Sequence, residues 1–232
     1  MNRFSGESRE MKELAKSYLE SLLLIKRDVA SEMIINAIEN GADIKKIYID
    51  VFESSQHEVG RLWQNNLISV AQEHYCTAAT QMIMSQLYPY IFKGYKNGHR
   101  LVATCVEGEM HEIGVRIVSD FFEMDGWDTY YLGANTPNNS IVETVIQLEP
   151  EVIAISASIP YNLGSVVELI KALRKSKASK IKILVGGRPF SLSPELWKKV
   201  GADGYASNAL EAVSISKEFI SNDKNTEKSH DK

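Results

Sequence analysis

Apolar residues in the N-terminal part of the chain recur at helical spacing. Over residues 8–25, Leu14, Tyr18, Leu22 and Ile25 fall three or four positions apart and share one face. Asp28 predicts the N-cap of a second helix, which Gly41 stops. Asp43 caps a third, carrying Ile47, Val51, Val59 and Trp63, and Asn65-Asn66 breaks it. Ser69 caps a fourth, with Gln72 three residues on as its capping-box partner, running to about Leu87 ahead of Pro89. Four helices with short joints predict an antiparallel bundle.

Beyond residue 93 the period changes. Residues 93–100 (Lys-Gly-Tyr-Lys-Asn-Gly-His-Arg) read as a polar linker. Short apolar runs then follow at 101–106, 128–132, 152–156, 181–185 and 204–206, alternating with helical stretches near 112–125, 138–148, 162–176, 193–200 and 208–221. This βαβ alternation predicts a five-stranded parallel sheet of flavodoxin-like or Rossmann-like order, covered on both faces, with ligands beyond the carboxyl ends of its strands. The predicted class is therefore α/β with an all-α N-terminal domain. A bundle occupies 1–93, a sheet domain 100–221, and a charged tail without an apolar face 222–232, which is expected to be disordered.

Composition narrows the class of partner. Hydrophobic residues make up 44% and charged residues 24%, ordinary for a soluble globular protein. A formal net charge of -4 gives no electrostatic case for direct nucleic-acid binding. No apolar run reaches transmembrane length, and the first residues do not resemble a secretory signal. Cys76 and Cys105 stand far apart and outside any C-x-x-C pattern, against a zinc site or redox pair. A cytoplasmic protein with reduced thiols is expected.

The loop after the first predicted strand reads Thr104-Cys105-Val106-Glu107-Gly108-Glu109-Met110-His111-Glu112-Ile113-Gly114. It places His111 at the carboxyl edge of the sheet. A ligating histidine is neutral and offers one ring nitrogen to the metal, while the other commonly donates to a carboxylate. Glu109 stands two residues away for that role, although a solvated surface pair has the same residues. Ser156-Ala157-Ser158 and Gly186-Gly187 follow the third and fourth strands at the same edge. Paired glycines admit close approach of a bulky ligand, and serines supply small hydroxyls. Taken singly these are a turn and a helix cap; with Glu109, His111 and Gly114 they mark one site.

This pattern resembles the cobalamin-binding domain shared by methionine synthase, the base-off mutases and corrinoid methyl carriers, whose fingerprint is Asp-x-His-x-x-Gly, Ser-x-Leu and Gly-Gly. The resemblance implies that His111 is the lower ligand of cobalt and Glu109 its hydrogen-bond partner. It implies that Gly114, Ser156, Gly186 and Gly187 line a slot for the displaced nucleotide tail, with Ser158 a further cofactor-binding residue. Glu109 stands where most such proteins have Asp, and Ser158 where Leu is usual.

The helical half adds a second resemblance. Trp63, nine residues, then Glu73-His74 is similar to the signature of CarH/LitR-type cobalamin photoreceptors. Glu109-x-His111-Glu112-Ile113-Gly114 and Tyr131-Leu132-Gly133-x-x-Thr136-Pro137 resemble the same group. This resemblance implies a light sensor without turnover: adenosylcobalamin capped by the bundle, with Trp63, Glu73 and His74 on its upper face and Glu112 and Ile113 in the lower loop. Photolysis of the cobalt–carbon bond would signal to a partner protein, such as a transcriptional regulator or a histidine kinase. Gln64 stands where the best-known photoreceptors carry a second histidine, leaving His57 and His74 as alternative upper ligands. The alternative reading is a methyl carrier holding methylcobalamin and served by methyltransferases; typical carriers have Pro-Glu-Leu where this chain has Val70-Ala71-Gln72. A flavodoxin-like regulatory domain without a corrin is a third. Cap helices commonly self-associate, which leaves a homo-oligomer through the bundle open.

Overall fold

A computed structural model describes residues 4–92, 94–193 and 195–230. Lys93 of the expected linker, Pro194 and the last two residues of the expected tail lie outside the described residues. The chain divides into two compact units, Met1–Tyr90 and Ile91–Lys232.

The helical unit comprises α1 (Phe4–Leu23), α2 (Arg27–Glu39), α3 (Ile44–Lys46), a π-helical stretch Ile47–Glu53, α4 (Ser54–Gln64), α5 (Val70–Gln86) and the short α6 (Tyr88–Ile91). α3, the π stretch and α4 form the expected third helix. Its wider π turn lets Ile47, Tyr48, Val51 and Phe52 all be fully buried, more than one α-helical stripe would place inward. Phe52 packs on Tyr18 and Tyr48 with ring centroids 5.5 and 5.2 Å apart. Asp43 and Ser69 cap as expected, accepting from the Lys45 and Gln72 amides, and Gln72 completes the capping box. Asp28 does not cap: α2 starts at Arg27, and Asp28 lies in its first turn beside the positive end of the helix dipole. Ile25, expected on the core face, is 62% exposed, because the chain turns left-handed there at the end of α1.

In the second unit, five parallel strands, β1 (Arg100–Cys105), β2 (Asp128–Gly133), β3 (Val152–Ser156), β4 (Lys182–Gly186) and β5 (Gly204–Tyr205), stand in the order β2-β1-β3-β4-β5. This is the flavodoxin-like order predicted above. The central strands are apolar throughout because both faces are covered. α8 (Asn138–Leu148) and α9 (Leu163–Lys175) pack on one face, where Ile141, Val145, Val166 and Leu169 join Ile153, Ile155 and Ile183. α7 (Ile113–Met124) lies against β1 and β2 and also packs on the closing helix α12 (Ala209–His230). The single helix expected at 193–200 is replaced by two short ones, α10 (Arg188–Leu192) and α11 (Leu196–Val200). α12 continues past Asn222 through residues expected in the tail. It is anchored upstream, where Ala209, Ala212, Val213 and Ser216 are buried, and its polar end extends that docked helix.

The polar linker is tied down. The Asn97 amide donates to the Gly126 carbonyl at 2.8 Å, and its side chain donates to the Asp125 carbonyl at 3.2 Å. Lys96 ion-pairs with Glu123, whose side chain is 4% exposed, and donates to the Trp127 carbonyl at 2.8 Å. Gly126 has a positive φ of 88°, and a Cβ there would collide with the Tyr95 carbonyl oxygen.

Candidate functional site

Parallel register sets the site. Cys105 pairs with Ser156, and Ser156 with Gly186, so β1, β3 and β4 end side by side. Their loops carry Glu109–His111, Ser156–Ser158 and Gly186-Gly187, which the structure brings to one edge.

Glu109 is fully buried and its carboxylate accepts five hydrogen bonds. Oε1 accepts from the His111 amide at 3.0 Å and faces His111 Nδ1 at 2.5 Å; Oε2 accepts from the Ser158 amide at 2.7 Å, the Ile159 amide at 3.2 Å and Asn162 Nδ2 at 2.9 Å. Burial pushes this carboxyl upward. The donors, His111 and Asn162 foremost, outweigh burial and hold it down to about 2. It is thus an anion at neutral pH and fixes the ring of His111, whose own side chain is 53% exposed. With Nδ1 engaged by a carboxylate, ligation of a metal falls to Nε2.

Two asparagines that local sequence does not reveal complete the loop. Asn162, 5% exposed at the end of a 3₁₀ turn (Pro160–Asn162), reaches Glu109 across 53 positions of sequence. Asn135, with a φ of 47°, accepts from the Gly108 amide at 2.9 Å and donates its own amide to the Glu109 carbonyl at 2.8 Å. Glu112, expected to touch the cofactor, fastens the neighbouring loop: its Oε2 accepts from Tyr131 and from the Ala134 amide, both at 2.8 Å. Ile113 opens α7 and is half-buried.

The glycines differ in what they do. A Cβ on Gly187, where φ is 107°, would strike the Ala157 carbonyl oxygen and lie 2.8 Å from its carbon. That glycine is demanded by the approach of two loops within the protein itself. Gly186 would meet the Ala206 carbonyl oxygen at 3.3 Å. A Cβ on Gly114, in the first turn of α7, would meet nothing within 4 Å. Space is left open there, beside the histidine loop. Ser158 serves through its amide, and Ser156 is half-buried at the end of β3.

Among the described residues no group of three or more His, Cys, Asp or Glu side chains could hold a metal ion by itself. A metal at His111 must bring its own equatorial donors. Around it, Met110 is 66% exposed, Ile159 41% and Tyr161 91%, on the two loops that carry His111 and hold Glu109. Open apolar surface beside one oriented imidazole, with room at Gly114, fits a metal in a flat macrocycle better than a hydrated ion. The donor set fits a cobalt corrin.

The residues expected on the upper face belong to the helical unit. Trp63, 40% exposed, ends α4 next to exposed Gln64; Glu73 lies in the first turn of α5. Glu73 Oε2 sits 2.5 Å from His74 Nδ1, and Oε1 accepts from Thr77 at 3.0 Å. His57 lies on α4, where it lowers the carboxyl of Glu53 against a larger upward push from burial.

The model of a B12 binding domain matches residues 99–214, and a second B12 binding domain model matches residues 14–88. The chain is 29% identical over 217 residues to the dimethylamine corrinoid protein of Methanosarcina barkeri, spanning 90% of this chain and 98% of that protein. It is 35% identical over 122 residues to dimethylamine corrinoid protein 2 of Methanosarcina mazei, spanning 52% of this chain and 56% of that protein. The monomethylamine corrinoid protein of Methanosarcina barkeri shares the fold, with a TM-score of 0.78 at 22% identity over 89% of this chain and 98% of that one.

These relatives overturn the expected light sensor, and the regulator or histidine-kinase partner falls with it. They are corrinoid proteins of methylamines. The Trp63, Glu73 and His74 spacing lies inside the helical region that the second B12 binding domain model matches, residues 14–88. No helix among the described residues is long and apolar enough to cross a membrane. The chain belongs to the B12 binding domain family, and cobalamin is the cofactor that its site takes.

Proposed function

We propose that the chain is the corrinoid methyl carrier of a methylamine methyltransferase system, with His111 as the lower ligand of cobalt. The observation that carries this reading is the similarity to a dimethylamine corrinoid protein along 98% of that protein, through the helical and the sheet units alike. When bound, the corrin cobalt supplies a centre that accepts a methyl group from one partner enzyme and yields it to another. The chain itself presents the cofactor, and its methyltransferases do the catalysis.

In this reading Glu109 takes the proton of Nδ1 into a hydrogen bond, so the imidazole stays neutral and Nε2 keeps its lone pair for the metal. Asn162 and the amides of Ser158 and Ile159 keep Glu109 from turning away. Gly114 leaves room for the nucleotide tail, and Ser156, Gly186 and Gly187 border its slot. The test mixes the reduced, cobalamin-loaded chain with radiolabelled dimethylamine, a dimethylamine-dependent methyltransferase, a thiol acceptor and a second methyltransferase that passes methyl groups from a corrinoid protein to that thiol. Label should reach the thiol only when the chain is present. Parallel reactions with monomethylamine and trimethylamine and their own enzymes define the donor. Absence of chain-dependent transfer from all these amines refutes the reading.

A further inference from the structure

β2 is an edge strand, and its carboxyl end departs from regular pairing. Ala103 of β1 pairs with Tyr131 and Thr104 with Gly133, so Leu132 is an extra residue, whereas β1 and β3 pair without a break. Such a slip is rare between parallel strands, and beside functional sites bulges re-aim a side chain. This one falls between the two residues of β2 that meet Glu112. Tyr131 donates its hydroxyl to Glu112 Oε2 at 2.8 Å. A Cβ on Gly133, where φ is 80°, would lie 3.1 Å from the same oxygen. The strand end is shaped to receive that carboxylate.

The end of β2 and the loop after it hold the histidine segment on both sides of His111. Ahead of it, Asn135 accepts from the Gly108 amide at 2.9 Å and donates its own amide to the Glu109 carbonyl at 2.8 Å. Behind it, Glu112 accepts from Tyr131 and from the Ala134 amide, both at 2.8 Å. The thiol of Cys105, at the end of β1, donates to the His111 carbonyl at 3.6 Å. Glu109 fixes the rotation of the imidazole, and these contacts fix the backbone that carries it. Burial, then the Glu112 carboxylate, pushes the Tyr131 phenol above its ordinary range, so it stays a donor.

We infer that Tyr131 is a positioning residue for the lower ligand, an inference that rests on the proposed ligation by His111: through Glu112 it sets how far that histidine reaches from the sheet edge. A coordinate bond at Nε2 tolerates little displacement of the ring, and a segment tied on one side only can draw back. The Tyr131–Glu112 bond ties the far side of the segment to a strand of the sheet and not to a loop alone. Glu112 works here as an acceptor. The oxygen of a glutamine side chain also has two lone pairs, so it can take both bonds without the charge, whereas alanine takes neither.

The test titrates the full chain calorimetrically with methylcobalamin, and the absorbance spectrum of each complex reports histidine ligation. Wild type should show the ligated spectrum and His111→Ala should not. Tyr131→Phe should weaken binding about fivefold, the equivalent of one hydrogen bond lost where the ligand is made. In the His111→Ala background the same substitution should change affinity by less than about twofold, since no ligand is left to place. Glu112→Ala should weaken binding by about tenfold or more, and Glu112→Gln by less than about threefold. A ligated wild type whose affinity Tyr131→Phe leaves unchanged overturns the inference while the lower ligand stands. An equal loss from Tyr131→Phe in both backgrounds overturns it too, because Tyr131 would then serve the fold alone. So does a loss in Glu112→Gln as large as in Glu112→Ala, which would make the charge the cause. A wild type without the ligated spectrum, or ligation kept in His111→Ala, removes the lower ligand and this role together.

Discussion

Replacing Glu109 by glutamine isolates the carboxylate at the centre of the site. The side chain keeps its length and loses one acceptor. Glutamate meets five donors with two oxygens; glutamine meets them with one oxygen and an NH₂ group. If the amide turns its oxygen to Ser158, Ile159 and Asn162, its NH₂ faces the His111 amide and Nδ1. The His111 amide then loses its acceptor, at about 1–3 kcal/mol, Nδ1 must change from donor to acceptor, and the bonds from Ser158, Ile159 and Asn162 lose the help of a charged acceptor, about another 1 kcal/mol. The carboxyl supplies a second route to the same magnitude. Held at about 2 instead of 4.5, it favours the folded state by roughly 3 kcal/mol at neutral pH. Both routes place the loss for Glu109→Gln at about 2–4 kcal/mol in the cofactor-free protein. At a urea slope near 2 kcal/mol per molar, the midpoint of the sheet unit should fall by about 1–2 M. Trp127, 1% exposed in that unit, reports the transition. Because the folded-state value is depressed, the contribution is complete above pH 4.5 and disappears as the pH falls through about 2. Wild type should therefore lose stability across that window relative to Glu109→Gln. Cobalamin should bind the variant about 10–100-fold more weakly, because an NH₂ donor at Nδ1 drives the imidazole proton onto Nε2. An unchanged urea midpoint at pH 7, or equal acid sensitivity of the two proteins, refutes the reasoning.

His111→Ala removes the Nδ1 bond to the buried Glu109 carboxylate, so the cofactor-free protein should lose about 1–2 kcal/mol in urea unfolding while the histidine-ligated cobalamin spectrum disappears; circular dichroism and absorbance titration check both. Gly187→Ala should cost more than about 3 kcal/mol in denaturant unfolding, since the new methyl meets the Ala157 carbonyl at a positive φ. Gly114→Ala should do the reverse: urea unfolding should show a gain of about 0.5–1 kcal/mol from helix propensity, while calorimetric titration shows weaker cobalamin binding because the methyl enters space left for the ligand. Asn162→Ala should lower stability by about 1.5–3 kcal/mol through the lost bond to a buried carboxylate, with a smaller loss of cobalamin affinity than Glu109→Gln.

Local patterns carried most of the fold. The Ser69–Gln72 box, the Asp43 cap and the apolar runs of the strands follow from spacing over a few residues, and the 2-1-3-4-5 order from the alternation of strands and helices, to which a flavodoxin-like sheet fits. What spacing could not disclose depends on residues far apart. Asn162 and Asn135 look like ordinary turn residues until the sheet brings their loops to Glu109. Glu112 reads as part of the histidine motif, yet its acceptor is used by Tyr131 and Ala134. Gly187 reads as room for a ligand, and the backbone of Ala157 already requires it. The π turn at Ile47–Glu53 has no local signal, because its residues would form an α-helix equally well and only the packed ring cluster selects the wider turn. The functional error had another origin. A tryptophan and a Glu-His pair at fixed spacing describe a helix corner, and corners of that kind serve more than one chemistry.

The tethered segment ahead of β1 changes where the sheet unit can be cut. A fragment starting at Arg100 would keep every strand and still strip Glu123 of its ammonium partner, leaving an anion that is 4% exposed with Thr129 as its remaining donor. It would also remove the Tyr95 carbonyl that packs on Gly126 and the Asn97 amide that donates to the Gly126 carbonyl. Shuffling this module onto another protein therefore calls for a splice upstream of Tyr95, and a boundary drawn at the first strand would yield a weakened product.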